Sequence, residues 1–208
     1  MPLVSYLVLR GKCRNCSRPI APRYFLVELV TALMGMLLFF SFGPTTRFFI
    51  YWFFACLLIV VVCIDIEHNE IPDVISVPGI LLGFVLMTAF RLDSSASYVS
   101  SAVNSSLGVL AGGGSMFLMG VIGERIYRRQ AVGGGDVKLM AMIGAFLGWK
   151  LVLVTFFLAP LLGAGVGIFM KIRFHKDVIA YGPYLSLAAV ISLLAGGRIL
   201  DYIFGLSS

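Results

Sequence analysis

Two acidic residues lie where apolar segments meet polar sequence, and carboxylates in such places can do chemistry. Asp65 directly follows the apolar run 48–64, whereas Asp136 follows a triple glycine and precedes the apolar run 137–149. An acid beside a hydrocarbon-facing helix is costly unless it is paired, solvated or used. The backbone dipole favours a carboxylate at a helix N-terminus, which suits Asp136, but it does not explain Asp65 at a C-terminus.

If the two segments pack together, Asp65 and Asp136 form a carboxylate pair. Two carboxylates in a partly dehydrated place cannot both ionise cheaply, so they share a proton near neutral pH. One then takes a proton from water while the other protonates a carbonyl oxygen or a leaving amine, which is peptide hydrolysis without a metal or a covalent intermediate. Gly133 and Gly135 would let an extended substrate backbone approach closely.

Paired acids in a membrane protein also mark ion routes, so a secondary transporter or a proton pathway is the alternative interpretation. The positions of Asp65 and Asp136 argue against a transporter, because both lie at the same predicted face of the membrane and not at its midplane. The two halves of the chain also show no convincing inverted repeat.

Three further polar residues lie near the predicted membrane edges. Glu28 is in the first span, about one turn from Arg23. It is either a functional residue or the partner of Arg23 in a contact at the helix end. Lys138 could lower the pKa of the Asp136 carboxyl or bind a substrate carboxylate. A basic residue at the membrane edge is also ordinary. Glu28 and Lys138 are therefore candidate substrate-binding residues, whereas Asp73 is expected to cap the helix that it begins.

The four cysteines divide into two pairs. Cys56 and Cys63 lie in an apolar run on one helical face, where cysteine behaves as a small hydrophobic residue. Cys13 and Cys16 form a CxxC motif in the basic stretch GKCRNCSRPI, a spacing that suits two ligands of a tetrahedral zinc ion. No other cysteine or histidine in that stretch completes the set, so the motif predicts half a zinc site.

The elements that must position these residues are membrane-spanning helices. Of 208 residues, 60% are hydrophobic and 12% are charged, which is far from the balance of a soluble globular domain. Most apolar runs approach the ~20 residues that cross a bilayer core. The sequence predicts an all-α, polytopic transmembrane helical bundle of about seven spans, after a short basic cytoplasmic segment. The spans are expected at 24–42, 48–64, 74–90, 103–122, 137–149, 151–170 and 179–197.

Basic residues predict the orientation of these spans. With the N-terminus in the cytoplasm, twelve of the sixteen Lys and Arg residues lie inside and four lie outside, as the positive-inside rule expects. The net charge of +6 therefore reflects topology and not nucleic-acid binding, because the basic residues flank spans without interleaved aromatic side chains. The inner residues are Arg10, Lys12, Arg14, Arg18, Arg23, Arg125, Arg128, Arg129, Lys138, Lys171, Arg173 and Lys176; the outer ones are Arg47, Arg91, Lys150 and Arg198.

Four ordered blocks of the sequence resemble the type IV prepilin peptidases, a family of GxGD intramembrane aspartyl proteases. VGGGD at 132–136 fits the GxGD signature, and DIEHNEIPD at 65–73 fits the family's other aspartate box. PLVSYLVLRGKCRNCSRPIAPRYFLVEL at 2–29 and IAYGPYLSLA at 179–188 extend the resemblance along essentially the whole chain. The resemblance is specific because the four blocks occur together and in order.

The resemblance implies a multi-pass enzyme of the bacterial inner membrane whose active site faces the cytoplasm. Such an enzyme cuts the short basic leader from prepilins and pseudopilins after a glycine, and it needs no cofactor for proteolysis. Asp65 and Asp136 match the family's catalytic dyad. The expected partners are these substrates and membrane lipid, without nucleic acid. A non-enzymatic assembly factor of a pilus or secretion system, descended from the peptidase, is a further alternative.

Many bacterial members of the family also methylate the new N-terminus with S-adenosylmethionine. That activity is associated with a cytoplasmic insertion holding two zinc-binding CxxC pairs. This sequence has Cys13 and Cys16 but not the first CxxC or the helix that normally precedes it. We therefore expect 1–23 to be a remnant of the cysteine-containing segment and 24–208 to be the peptidase domain, with zinc, S-adenosylmethionine and methylation left open.

Overall fold

The computed structural model describes residues 3–91, 97–128, 132–174 and 180–204, and these are mainly helical. Within these ranges no strand occurs, and one isolated bridge joins Lys12 to Pro19. Arg129, Lys176 and the start of the predicted span 179–197 lie outside the described residues. The helices are α1 (Leu3–Val8), α2 (Pro22–Phe42), α3 (Thr46–His68), α4 (Asp73–Phe90), α5 (Tyr98–Tyr127), α6 (Gly134–Phe174) and α7 (Gly182–Phe204).

Six helices in the described part of the chain, α2 to α7, are long and apolar enough to cross a membrane. The prediction of an all-α, multi-pass membrane protein is confirmed. Aliphatic and aromatic side chains cover much of the outer surface, as expected where the solvent is lipid. Examples are Phe40, Val74, Leu81 and Phe157, all more than three-fifths exposed.

The difference between six helices and the expected seven spans lies in α6. The predicted spans 137–149 and 151–170 both fall in this helix, which is interrupted at Gly148 with φ 76° and ψ 174°. A Cβ placed on Gly112 would lie 3.0 Å from the carbonyl carbon of Met140 and 2.8 Å from Val152 Cγ2. In a straight helix those two residues would be about 18 Å apart along the axis.

The chain therefore turns back at Gly148, and α6 consists of two limbs, 134–147 and 149–174. A left-handed φ is accessible to glycine without steric cost, which suits Gly148 to this turn. The first limb extends only about 21 Å, less than the ~30 Å of a bilayer core. A separate short segment at this place was predicted, but it does not reach the length of a span.

The chain divides into two compact units, 1–59 and 60–208. In the first unit α2 packs against the beginning of α3 through aromatic rings. Phe39 meets Phe48 edge to face at 5.7 Å between ring centroids, and Phe48 stacks on Trp52 at 5.5 Å. Tyr6 of α1 stacks on Phe25 of α2 at 5.0 Å.

In the second unit the first limb of α6 is the innermost element. Its side chains from Leu139 to Leu147 are all buried. Gly108 and Gly144 bring α5 and α6 into close backbone contact, as small residues do between membrane helices. Gly83 of α4 packs against Phe146 from another side. This enclosed limb carries Asp136 at its beginning, so the surrounding helices determine where that carboxylate lies.

Candidate active site

Asp65 lies in the last turn of α3 and is only 4% exposed. The helix closes with Asn69, whose φ is 53° and whose amide donates to the Asp65 carbonyl at 2.8 Å. Asn tolerates this left-handed conformation, which commonly ends helices. The carboxylate itself accepts a hydrogen bond at Oδ2 from the amide of Gly182, also at 2.8 Å. Gly182 begins α7, so the N-terminus of one helix compensates a carboxylate at the C-terminus of another.

Asp136 lies in the first turn of α6 and is half-buried. Its Oδ2 accepts a hydrogen bond from the amide of Gly133 at 3.3 Å. This contact is the ordinary arrangement of an acid at a helix N-terminus. The local backbone therefore explains where the side chain points, and the carboxylate keeps an oxygen that this bond does not use.

The structure brings Asp65 and Asp136 close enough for the charge of Asp65 to act on the Asp136 carboxyl. The segment that follows Asp65 also reaches the glycines before Asp136. A Cβ placed on Gly135 would lie 2.8 Å from Ile71 Cβ. The packing of the second unit thus joins the end of α3 to the beginning of α6, as the sequence predicted for a carboxylate pair.

Tyr181 and Gly182 are two residues of the site to which the sequence analysis assigned no role. Burial and the charge of Asp136 raise the pKa of the Tyr181 phenol to about 12. Its hydroxyl is therefore a neutral donor at any physiological pH. Both residues lie in the block IAYGPYLSLA, and a Tyr-Gly-Pro sequence directly before an apolar helix was the signal available for them.

Lys138 forms an ion pair with another acid of the same region. Its Nζ donates to Asp73 Oδ2 at 2.6 Å, and both side chains are exposed. Asp73 does not cap α4 as expected, because the helix begins at Asp73 itself and its N-cap residue is Pro72, without a side-chain cap bond. The pair joins the beginnings of α4 and α6 at the surface, and a role for Lys138 in substrate binding stays a prediction.

The predicted substrate-binding glycines differ in their surroundings. Gly133 is exposed and bonded to Asp136, whereas Gly135 packs against Ile71. Close approach by Ile71 thus explains the lack of a side chain at Gly135 without a substrate. Glu28 is half-buried in α2 of the first unit, and its role also stays a prediction.

Cys13 and Cys16 lie in a tight turn between Lys12 and Pro19. Backbone amides of Cys16 and Asn15 donate toward the Cys13 sulfur and lower the pKa of its thiol. A stabilised thiolate is what a metal ligand requires. The described residues contain no group of three or more His, Cys, Asp or Glu side chains that could hold a metal. The turn therefore fits two of the four ligands of a zinc site and does not complete it.

Comparison with known proteins decides the family. The profile described as the type IV leader peptidase family matches 52–168, more than half of the chain, including both aspartates. The chain belongs to the type IV leader peptidase family. A second profile, described as the bacterial peptidase A24 N-terminal domain, matches 1–42, which include both cysteines of the CxxC motif.

Relatives from several bacteria carry the name prepilin leader peptidase/N-methyltransferase. The one from Pseudomonas aeruginosa is 35% identical over 202 residues, which are 96% of this chain and 67% of the relative. The one from Myxococcus xanthus is 36% identical over 170 residues, 82% of this chain and 49% of the relative. This chain thus spans about two thirds of the first relative and half of the second. No solved structure matches it significantly. The family resemblance seen in the sequence is confirmed, and the comparisons do not support a transporter or proton pathway.

Proposed function

We propose that this chain is a membrane aspartyl endopeptidase that removes the leader peptide of type IV prepilins and pseudopilins, with Asp65 and Asp136 as its catalytic residues. The observation that carries the proposal is the meeting of these two carboxylates, 71 positions apart in the sequence, in one site where the charge of Asp65 acts on the Asp136 carboxyl. Family membership supports the reaction, since relatives are named prepilin leader peptidase/N-methyltransferase.

The pair performs hydrolysis by general acid and base catalysis. One carboxylate accepts a proton from a water molecule as its oxygen attacks the scissile carbonyl carbon. The other, protonated, donates to the carbonyl oxygen. When the tetrahedral intermediate collapses, the C–N bond breaks, the leaving nitrogen receives a proton from one carboxyl of the pair, and a hydroxyl group of the intermediate returns its proton to the other. The two residues exchange protonation states during the cycle, and no metal or covalent intermediate takes part.

The distribution of basic residues in the sequence supports a site that faces the cytoplasm of a bacterial inner membrane. The positive-inside rule predicts twelve of the sixteen Lys and Arg residues on the cytoplasmic side, together with the end of the apolar run 48–64 and the beginning of the run 137–149. A prepilin would insert its apolar helix beside the spans and leave its basic leader in the cytoplasm, next to Asp65 and Asp136. Depth in the bilayer would thus help to select the bond that is cut. Membrane lipid is the other expected partner.

N-methylation of the new N-terminus is a separate part of the proposal. It rests on the names of the relatives and on the match of 1–42 to the N-terminal domain profile. The CxxC turn supplies two thiols for zinc, and no residue of the described chain is assigned to S-adenosylmethionine. The peptidase chemistry does not depend on either group.

Mass spectrometry of a prepilin-like peptide tests the proposal. The peptide keeps its leader and its apolar segment, and it is incubated with the chain in detergent together with S-adenosylmethionine. Parallel reactions use Asp65→Asn and Asp136→Asn, which keep the shape of each side chain and remove the titrating proton. We expect cleavage after glycine that is lost in both variants, and a product heavier by one methylene group if methylation occurs.

A folded Asp65→Asn or Asp136→Asn protein that cleaves at near the normal rate would overturn the dyad assignment. Lys150→Ala serves as the matched control, because this exposed residue lies next to the turn at Gly148, at the far end of the first α6 limb. Its rate should equal that of the unchanged protein.

A further inference from the structure

The first turn of α7 has one backbone N–H group that the helix does not use. Helices begin with amides that lack intrahelical acceptors. Tyr184 and Leu185 donate to the carbonyl of the residue before the helix, at 3.1 and 3.2 Å, and Pro183 has no N–H. The amide of Gly182 is therefore the available donor, and it donates to Asp65 Oδ2 at 2.8 Å.

A side chain on residue 182 would have to displace the Asp65 carboxylate. A Cβ there would lie 2.6 Å from Asp65 Oδ2 and 3.2 Å from its Cγ. The first of these distances is shorter than real Cβ contacts reach. The backbone of Gly182 has no positive φ, so an alanine there would conflict with the position of the Asp65 carboxylate and not with the backbone conformation.

The same turn also lies beside the other acid. Tyr181 precedes Gly182, and the charge of Asp136 acts on its phenol. Two consecutive residues, Tyr181 and Gly182, thus interact with the two carboxylates, the first through charge and the second through a hydrogen bond. This arrangement occupies one oxygen of Asp65 with a fixed donor and leaves Oδ1 for water or substrate.

We propose that Gly182 is a positioning residue, whose amide holds the Asp65 carboxylate in the orientation that hydrolysis requires. The inference rests on the proposed function, because it assumes that Asp65 is a catalytic residue. Gly182 does not touch the substrate; it acts through Asp65. Pro183 supports it by removing a competing donor from the same turn.

The first test compares Gly182→Ala with Gly197→Ala. Both glycines lie in α7, but a Cβ on Gly197 would meet nothing within 4 Å. Displacement of a catalytic group by ~1 Å costs on the order of 10²-fold in rate. We expect kcat to fall roughly 10- to 100-fold in Gly182→Ala while KM changes less than about threefold, since binding groups stay in place. Gly197→Ala should retain both constants.

The second test measures the hydrogen bond without a change at residue 182. Tyr181-Gly182 is the sole Tyr-Gly pair in the sequence. Labelling with ¹³C-carbonyl tyrosine and ¹⁵N-glycine therefore selects one amide resonance. A charge-assisted bond to a carboxylate is shorter and stronger than a neutral one, so this amide proton should lie at low field. It should move upfield in Asp65→Asn and stay nearly unchanged in Lys150→Ala.

The outcomes separate the inference from the proposed function. If Asp65→Asn keeps its activity, the catalytic assignment fails whatever Gly182 does. If both dyad variants are inactive, but Gly182→Ala cleaves normally or the labelled amide does not respond to Asp65→Asn, the positioning role of Gly182 is wrong. Loss of kcat in Gly182→Ala together with the amide shift in Asp65→Asn supports it, and the amide measurement decides alone if Gly182→Ala does not fold.

Discussion

Substitution of Gly135 by alanine should inactivate the enzyme through its contact with Ile71. The new Cβ would lie 2.8 Å from Ile71 Cβ, whereas carbon atoms pack comfortably at about 3.5–4.0 Å. Either side must therefore move by roughly 1 Å. Gly135 precedes Asp136 directly, and Ile71 belongs to the segment that follows Asp65, so the displacement reaches the carboxylate pair from either side.

The size of the effect follows from that displacement. A misplacement of ~1 Å in a catalytic group reduces the rate on the order of 10²-fold, which is about 2.7 kcal/mol of transition-state stabilisation. The overpacking should also destabilise the fold by roughly 1–3 kcal/mol. The assay is kcat/KM for the prepilin-like peptide by mass spectrometry, with thermal unfolding in detergent measured on the same samples.

Gly134→Ala is the matched control, one residue away in the same motif. A Cβ on Gly134 would meet nothing within 4 Å, so its kcat/KM should stay within about twofold of the unchanged protein because no catalytic group has to move. The collision can also be removed from the other side with Gly135→Ala combined with Ile71→Gly. That pair should regain activity relative to Gly135→Ala, with Ile71→Gly alone as reference. Equal activity of folded Gly135→Ala and Gly134→Ala would refute the reasoning.

Two further predictions concern Tyr181 and Lys138. The Tyr181 pKa of about 12 lies above its ordinary value of 10.0, so the stability from the neutral phenol is complete below pH 10 and is lost as pH rises through 12. The measurement is a titration of tyrosinate absorbance, in which Tyr181→Phe should remove one phenol that ionises at high pH. Asp136→Asn should lower the pKa of Tyr181, because it removes a nearby negative charge. Identical titration curves for Asp136→Asn and the unchanged protein would contradict this prediction. The exposed Lys138–Asp73 pair at 2.6 Å should contribute less than about 1 kcal/mol in a double-mutant cycle of thermal unfolding. If Lys138 binds substrate, Lys138→Met should raise KM while Asp73→Asn leaves it near normal, and similar, near-normal KM values in both variants would show that it does not.

The sequence predicted the helical membrane architecture, and it singled out the two aspartates as candidates, because both features depend on local patterns. Long apolar runs identify spans, and an acid at the edge of such a run is visible without a structure. The hydrogen bond from Gly182 to Asp65 joins residues 117 positions apart, and nothing local to either residue encodes it. The sequence alone therefore does not explain why an acid lies at the C-terminus of α3. The beginning of α7 explains it, because the amide of Gly182 donates to the Asp65 carboxylate.

The roles of the glycines were hard to predict from the sequence for a different reason. The sequence shows where a side chain is absent, but not which neighbour approaches. Gly135 was interpreted as room for substrate, and Ile71 packs there. Gly148 was expected to lie near the end of a short span, and its left-handed φ turns the chain back within one helix. In both places the decisive partner comes from the tertiary packing of the second unit.

The turn at Gly148 limits how far the first limb of α6 can extend across a bilayer. Trp149 follows it and is exposed, and tryptophan is a residue type that anchors at a membrane interface. Twelve residues separate Gly148 from Asp136, about 18 Å of helix against a hydrocarbon core of ~30 Å. With the turn at one interface, the carboxylate lies about 12 Å short of the other. Since the proposed site takes its water and the leader from the cytoplasm, the lipid around this short limb would have to thin to meet it.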